Sequence, residues 1–219
     1  MASNTVENYL KAIFQLSLKS DTGATTNAIS ESLGTSAATV SDMLKKLDNQ
    51  KLIDYKKYQA VKLTKKGQDI AINIIRKHRL WEVFLVDKLD FKWDEVHDLA
   101  EELEHIDSSE LINRLETFLD HPKFDPHGDP IPDKDGIIHR QEQVSLTELN
   151  VGQTGYVTGV RDSSRAFLQF LDNQKIQLGN QITIKEIFDY DQSRTVLSGD
   201  TQHSLSIQVC KNLFVKTEI

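Results

Sequence analysis

All four prolines of this chain, Pro122, Pro126, Pro130 and Pro132, fall between residues 122 and 132. Proline has no backbone N–H and a fixed φ, so neither a helix interior nor a central strand accepts that density. Residues 121–136 are therefore expected to be irregular, and they separate two textures. Upstream, apolar residues recur at helical intervals. Downstream of Ser145, Gly152, Gly155 and Gly159 punctuate short β-rich runs at 156–160, 181–187 and 205–209. Such runs with tight turns predict a small β-barrel of roughly 70 residues, joined through a linker at 137–144. The fold class expected is mainly α with a C-terminal small β-barrel, in three domains: 1–72, 73–140 and 145–219.

The first 72 residues hold ten lysines and seven acids, although the whole chain carries a net charge of −7. A basic head on an acidic body suits phosphate at one end and cations at the other. Val6, Tyr9, Leu10 and Ile13 predict a helix over 5–18, with Asn4 and Glu7 placed as a capping pair. After a turn at 21–23, two short helices are expected at 26–33 and 36–50 around Gly34. Strands follow at 52–55 and 61–63 around a polar turn. Helix, helix, turn, helix, ribbon is the order of a winged helix-turn-helix. Ile29, Leu33, Val40, Leu44 and Leu47 would form its core.

The recognition helix opens on Ser36, Ala37, Ala38, Thr39, Ser41 and Asp42, small enough for close approach to base edges and phosphates. Thr26 begins the preceding helix, Lys45 and Lys46 follow one turn on, and Lys56 and Lys57 mark the wing. These residues are the expected DNA contacts. An ordinary helical bundle with a surface hairpin is the alternative reading of the same pattern.

A long helix is expected at 65–89, followed by helices at 93–106 and 108–119. The first carries His78 and Glu82 on one face. The second carries His97, Glu101, Glu104 and His105, spanning about 100° of its circumference. Imidazoles and carboxylates on neighbouring helices form metal sites in helical proteins; a solvated acidic face is the alternative. An oxygen-rich set with imidazole favours Mn²⁺ or Fe²⁺ over zinc or copper. The lone Cys210 supports neither an internal disulfide nor a cysteine-based zinc site. No apolar run is long enough to span a bilayer, so a cytoplasmic protein without a membrane partner is expected. No nucleophile elbow, HExxH pair or glycine-rich phosphate loop is found. A non-enzyme is therefore expected. The rivals are a helical two-metal hydrolase and a winged-helix adaptor whose barrel binds a peptide.

Taken together, 7–10, 76–80 with Glu82, 96–98 through 104–105, the loop 125–132 and the barrel opening 149–159 resemble the diphtheria-toxin-repressor family of metal-dependent regulators. The likeness is to manganese-sensing members with an SH3-like C-terminal domain. It implies a homodimeric repressor of metal-homeostasis genes that binds double-stranded operator DNA when loaded with Mn²⁺, or alternatively Fe²⁺, at two sites per subunit. The helical 73–140 domain would dimerise. The resemblance implies a primary site of Glu101, Glu104 and His105 with the residue at position 8. It implies a second site of His78, Glu82 and His97 with a carboxylate such as Asp162, and makes Asp125 a loop ligand. Position 8, usually Asp or Met, is Asn8 here, a weaker donor, and Glu7 is the neighbouring alternative.

Overall fold

The computed structural model describes residues 3–19, 23–56, 59–139 and 141–217. Lys57 and most of the expected turn at 21–23 lie outside the described residues. The chain divides into two compact units. The first comprises Met1–His78, Leu103–Ser109 and Pro132–Ile137; the second comprises Arg79–Glu102, Glu110–Ile131 and Ile138–Ile219.

In the first unit, α1 (Asn4–Lys19) precedes the short α2 (Thr26–Ser32) and α3 (Ala37–Asn49). Thr25 caps α2 by accepting the Ala28 N–H, and Ser36 caps α3 by accepting that of Thr39, at 3.2 Å each. Capping satisfies N–H groups that the first helical turn leaves without partners. Gly34, at φ +59°, makes the turn between these helices. The wing is a minimal ribbon, β1 (Ile53–Asp54) paired antiparallel with β2 (Lys62–Leu63). Leu10, Ile13, Ile29, Val40, Leu44, Leu47 and Ile53 are all at most 1% exposed, so the apolar stripes of three helices and the wing share one core. The Oγ1 of Thr64 accepts the Gly67 N–H at the start of α4 (Lys65–Leu89), whose first half belongs to this unit.

In the second unit lie the rest of α4 and α5 (Val96–Leu103) up to Glu102, followed by most of α6 (Ser109–Phe118). The helix expected over 93–106 is shorter at both ends. Glu95 folds back on Lys92, accepting its N–H at 3.1 Å while donating its own to the Lys92 carbonyl at 3.0 Å. That local turn delays the helix to Val96. At the other end Glu104 and His105 lie in a turn beyond Leu103 rather than on a helical stripe.

The C-terminal part of this unit is a six-stranded antiparallel sheet: β3 (Val144–Ser145), β4 (Thr154–Val160), β5 (Gln181–Ile187), β6 (Arg194–Ser198), β7 (Thr201–Leu205) and β8 (Leu213–Thr217). Its order is β3-β8-β4-β5-β6-β7. Among the described residues β3 and β7 stand at opposite edges, so the sheet is open where a closed barrel was expected. Two helices interrupt it. The first, α7 (Arg165–Asn173), buries Leu168 and Leu171. The second, α8 (Ile207–Asn212), replaces the strand expected over 205–209, because the Ser206 hydroxyl accepts the Val209 N–H and starts a helix instead. Buried Arg194 donates to the carbonyls of Leu146, Thr147 and Leu149, tying β6 to the turn after β3.

Candidate metal centre

Two clusters of carboxylates and imidazoles emerge, one inside each unit. In the first, Glu104 is 1% exposed and stands between two helices of its own unit. Its Oε2 lies 2.6 Å from Lys11 Nζ on α1 and 2.6 Å from His78 Nδ1 on α4. Its Oε1 points the other way, 3.9 Å from His105 Nε2. His105 Nδ1 lies 2.7 Å from Glu7 Oε2, also on α1. Glu7 and Lys11, four residues apart, share one helix face. That face therefore meets the 104–105 turn through two charged contacts.

Burial alone would raise the Glu104 carboxyl, but the hydrogen bond with His78 and the positive charge of Lys11 outweigh it and hold the group below its ordinary value. A buried carboxylate kept ionised beside an imidazole has the donor chemistry of a hard-cation ligand. Among the α1 residues it is Glu7 whose carboxylate reaches His105, while the Asn8 side chain is exposed.

In the second unit, ligating atoms of Glu82, Asp125 and His127 all lie within 4.8 Å of one another, and all three residues are buried. His97 Nδ1 stands 3.6 Å from Glu82 Oε1, and its Nε2 stands 3.6 Å from Glu101 Oε1. The loop is shaped from within. Asp125 Oδ1 accepts the N–H groups of His127 and Asp129 at 2.9 Å each. Arg79 reaches Asp125 Oδ2 at 3.4 Å and Asp129 Oδ2 at 3.1 Å. The His127 ring stacks on Trp93 and its Nε2 donates to the Trp93 carbonyl at 2.8 Å. The other nitrogen, Nδ1, then faces Glu82 Oε1 at 3.7 Å. A carbonyl that fixes one imidazole nitrogen and leaves the other aimed at carboxylates is the usual support of a metal-binding histidine.

Burial works against charge on His127, but Glu82 above all, with Asp125 and the Trp93 carbonyl, holds its pKa up at about 9. Burial, reinforced by Glu82 and Asp129 against the pull of Arg79 and His127, pushes Asp125 up to about 7. Both values are raised by folding, so both groups stabilise the metal-free fold at low pH and lose that contribution as pH rises. For His127 the contribution is full below its ordinary 6.5 and gone above about 9. The melting temperature of the metal-free protein should accordingly fall between pH 6.5 and 9. Saturating Mn²⁺ should flatten that fall, because metal takes the place of the proton. Thermal melts across the range with EDTA and with Mn²⁺ check this; parallel curves would contradict it.

Of the ligands expected together at the second site, Glu82 and His97 stand side by side. His78 meets Glu104, Glu101 meets His97, and Asp125 joins Glu82. Asp162 accepts the Ser164 N–H at 2.9 Å, a turn contact just before α7. His127 was missed from the sequence. Its signal was an Asp-Pro-His-Gly stretch, in which an aspartate caps the turn that carries the histidine.

On the recognition helix, Ser36, Ala37, Ala38, Thr39, Asp42, Lys45 and Lys46 are exposed, as is Lys56 on the wing. Thr26 and Ser41 are half-buried, with the Ser41 hydroxyl turned back to the Ala37 carbonyl at 2.9 Å. Lys45 pairs with Asp42 at 3.0 Å; both are solvated, so the pair contributes little.

Residues 1–61 match the family described as iron dependent repressor, N-terminal DNA binding domain. Residues 64–133 match its metal binding and dimerisation domain, and residues 144–217 match the FeoA domain. The iron-dependent repressor IdeR of Mycobacterium tuberculosis is 36% identical over 149 residues, covering 68% of this chain and 59% of its own length. The diphtheria toxin repressor of Corynebacterium jeikeium is 30% identical over 174 residues, covering 79% and 64%. These alignments thus span somewhat under two thirds of either relative. Among solved structures, a manganese-dependent transcriptional repressor in complex with manganese superposes with a TM-score of 0.88 at 32% identity, over 97% of this chain and 100% of that one. The manganese regulator SloR gives 0.78 at 31% identity over the whole of both chains.

Proposed function

Because the chain belongs to the iron-dependent repressor family, we propose that it is a metal-dependent transcriptional repressor that binds operator DNA as a homodimer and responds to Mn²⁺. The observation that carries this reading is the pairing of α1 with the 104–105 turn through Glu7, His105 and Glu104. α1 belongs to the segment matched by the DNA-binding family, and the turn to the segment matched by the metal-binding family. Glu7, the Oε1 of Glu104 and His105 are the groups that would hold the primary ion; bound there, it supplies positive charge that draws two carboxylates and an imidazole onto one centre. Without it, α1 meets the turn through the Lys11–Glu104 contact and the Glu7–His105 hydrogen bond, the second of which solvent competes for. The recognition helices of a dimer must reach successive major grooves about 34 Å apart, so narrowing the freedom of α1 raises the fraction of competent dimers.

The second ion would be held by Glu82, Asp125 and His127, with His97 beside them. Carboxylates and imidazole without thiolate favour Mn²⁺ over the softer metals, with Fe²⁺ as the alternative. The homodimer reading is supported by the exposure of Leu89, Phe91, Leu111 and Phe118, all at least 38% accessible, in the segment matched by the dimerisation family. The match of residues 144–217 to the FeoA domain supports the SH3-like domain expected from the sequence. No helix among the described residues is long and apolar enough to cross a membrane, in keeping with a cytoplasmic regulator. The IdeR and diphtheria toxin repressor relatives are named as repressors, and no enzymatic reaction is proposed.

The assignment of Glu7 rather than Asn8 is open to direct test. Glu7→Gln should lower Mn²⁺ affinity about tenfold or more, as loss of a ligating carboxylate does. Asn8→Ala should change it less than twofold. Calorimetric titration of both variants decides between them, and the reverse ranking would restore Asn8 as the ligand.

A further inference from the structure

Lys11 is among the most buried charged residues of the first unit. Its side chain is 7% exposed, and its ammonium lies 2.6 Å from Glu104 Oε2 and 3.2 Å from His78 Nδ1. Lysine is almost never this buried without a charge partner. Here the partner is a candidate metal ligand, and the neighbour is an imidazole of the same kind. The two Glu104 oxygens therefore serve different places. Oε1 faces His105, which Glu7 also meets, whereas Oε2 faces the ammonium and His78.

We propose that Lys11 is a tethered cation set against both Glu104 Oε2 and His78 Nδ1, so that the Glu104 cluster takes one divalent ion rather than a pair. A carboxylate oxygen and an imidazole nitrogen 2.6 Å apart at one buried point could share a cation once the proton between them is displaced, and the chain places its own positive charge beside both. An ammonium carries its hydrogen-bond donors at distances close to those above, so it satisfies Glu104 Oε2 in the absence of metal and repels a second divalent ion in its presence. Lys11 in this role is a specificity-determining residue: it sets the number of ions at the cluster.

The proposal rests on the reading of Glu104 and His105 as metal ligands, and the test separates the two. Wild type, Lys11→Gln, Lys11→Glu and His105→Ala are equilibrated with excess Mn²⁺ and desalted, and bound manganese is counted by mass spectrometry. Circular dichroism checks folding. Lys11→Glu, which adds a carboxylate beside Glu104 and His78, should bind one more ion per chain than wild type, and the extra ion should vanish in Lys11→Glu/His78→Ala. Lys11→Gln, close in shape and neutral, should gain the same ion more weakly, and it decides the matter if the glutamate variant does not fold. Folded variants with the wild-type count would overturn the role of Lys11. So would a spin-coupled manganese pair at the Glu104 cluster, seen in the low-temperature electron paramagnetic resonance spectrum of wild type and lost in His105→Ala. A His105→Ala protein that keeps the full count would instead overturn the primary-site assignment.

Discussion

The His105→Ala protein is expected to bind operator DNA no better with Mn²⁺ than with chelator, a loss of about 100-fold in metal-activated affinity, near the upper end of typical allosteric coupling. His105 is the group through which the 104–105 turn reaches Glu7, at 2.7 Å. Its removal takes away one ligand and the hydrogen-bond partner of the Glu7 carboxylate at the same time. Glu7 is partly exposed, with 18% of its side chain accessible, so water can take over its hydrogen bond. The Lys11–Glu104 pair is left in place. The variant should therefore melt within a few degrees of metal-free wild type. Gel shifts in Mn²⁺ and in EDTA, set beside thermal melts, check the separation of function from folding. Unchanged manganese-dependent shifts would remove His105 from the site. Glu104→Ala should abolish activation too, but less cleanly, because it strands a buried ammonium, and a broken buried ion pair costs about 3–5 kcal/mol.

Gly128→Ala should damage the second cluster without touching a ligand. Gly128 sits at φ +87°, where an L side chain is strained. A Cβ there would fall 2.1 Å from the Thr158 carbonyl oxygen and 2.4 Å from the Gly159 Cα, both backbone atoms of β4. The loop cannot draw back from the clash without further loss, because the His127 carbonyl also accepts the Val160 N–H at 2.9 Å in that strand. Backbone strain of about 1–2 kcal/mol adds to an overpacking cost of about 1–3 kcal/mol. A drop in melting temperature of about 4–20 °C is expected for a chain of this size. Because Asp125 and His127 lie just before the glycine in the same loop, Mn²⁺ binding at the Glu82 cluster should weaken as well. The measurement is a melt paired with a metal titration; wild-type values in both would show that the loop carries neither the fold nor the ions.

The parts of this molecule legible in its sequence are those governed by local periodicity. The 65–89 helix has its expected bounds, and the wing falls within the two short strands expected around a polar turn. Short-range side-chain chemistry was harder to see. The Glu95–Lys92 turn shortened a helix at one end, and the Ser206 cap turned a β-rich run into α8. Pairings across long sequence separations were least visible. Glu104 meets Lys11 and His78, respectively 93 and 26 residues away, and periodicity on single helices says nothing about such partners. His127 was hidden for a different reason. It lies in the proline-rich loop, which its composition marks as irregular, and the aspartate-capped turn together with the Trp93 carbonyl gives it a fixed direction.

The most direct test of the account is operator affinity of one preparation in Mn²⁺ and again after exhaustive dialysis against EDTA. The account predicts tight binding in the first condition, a loss of about two orders of magnitude in the second, and full recovery when Mn²⁺ is restored. Equal affinity in both would contradict it, since α1 would then need no cation to hold the reading heads in register.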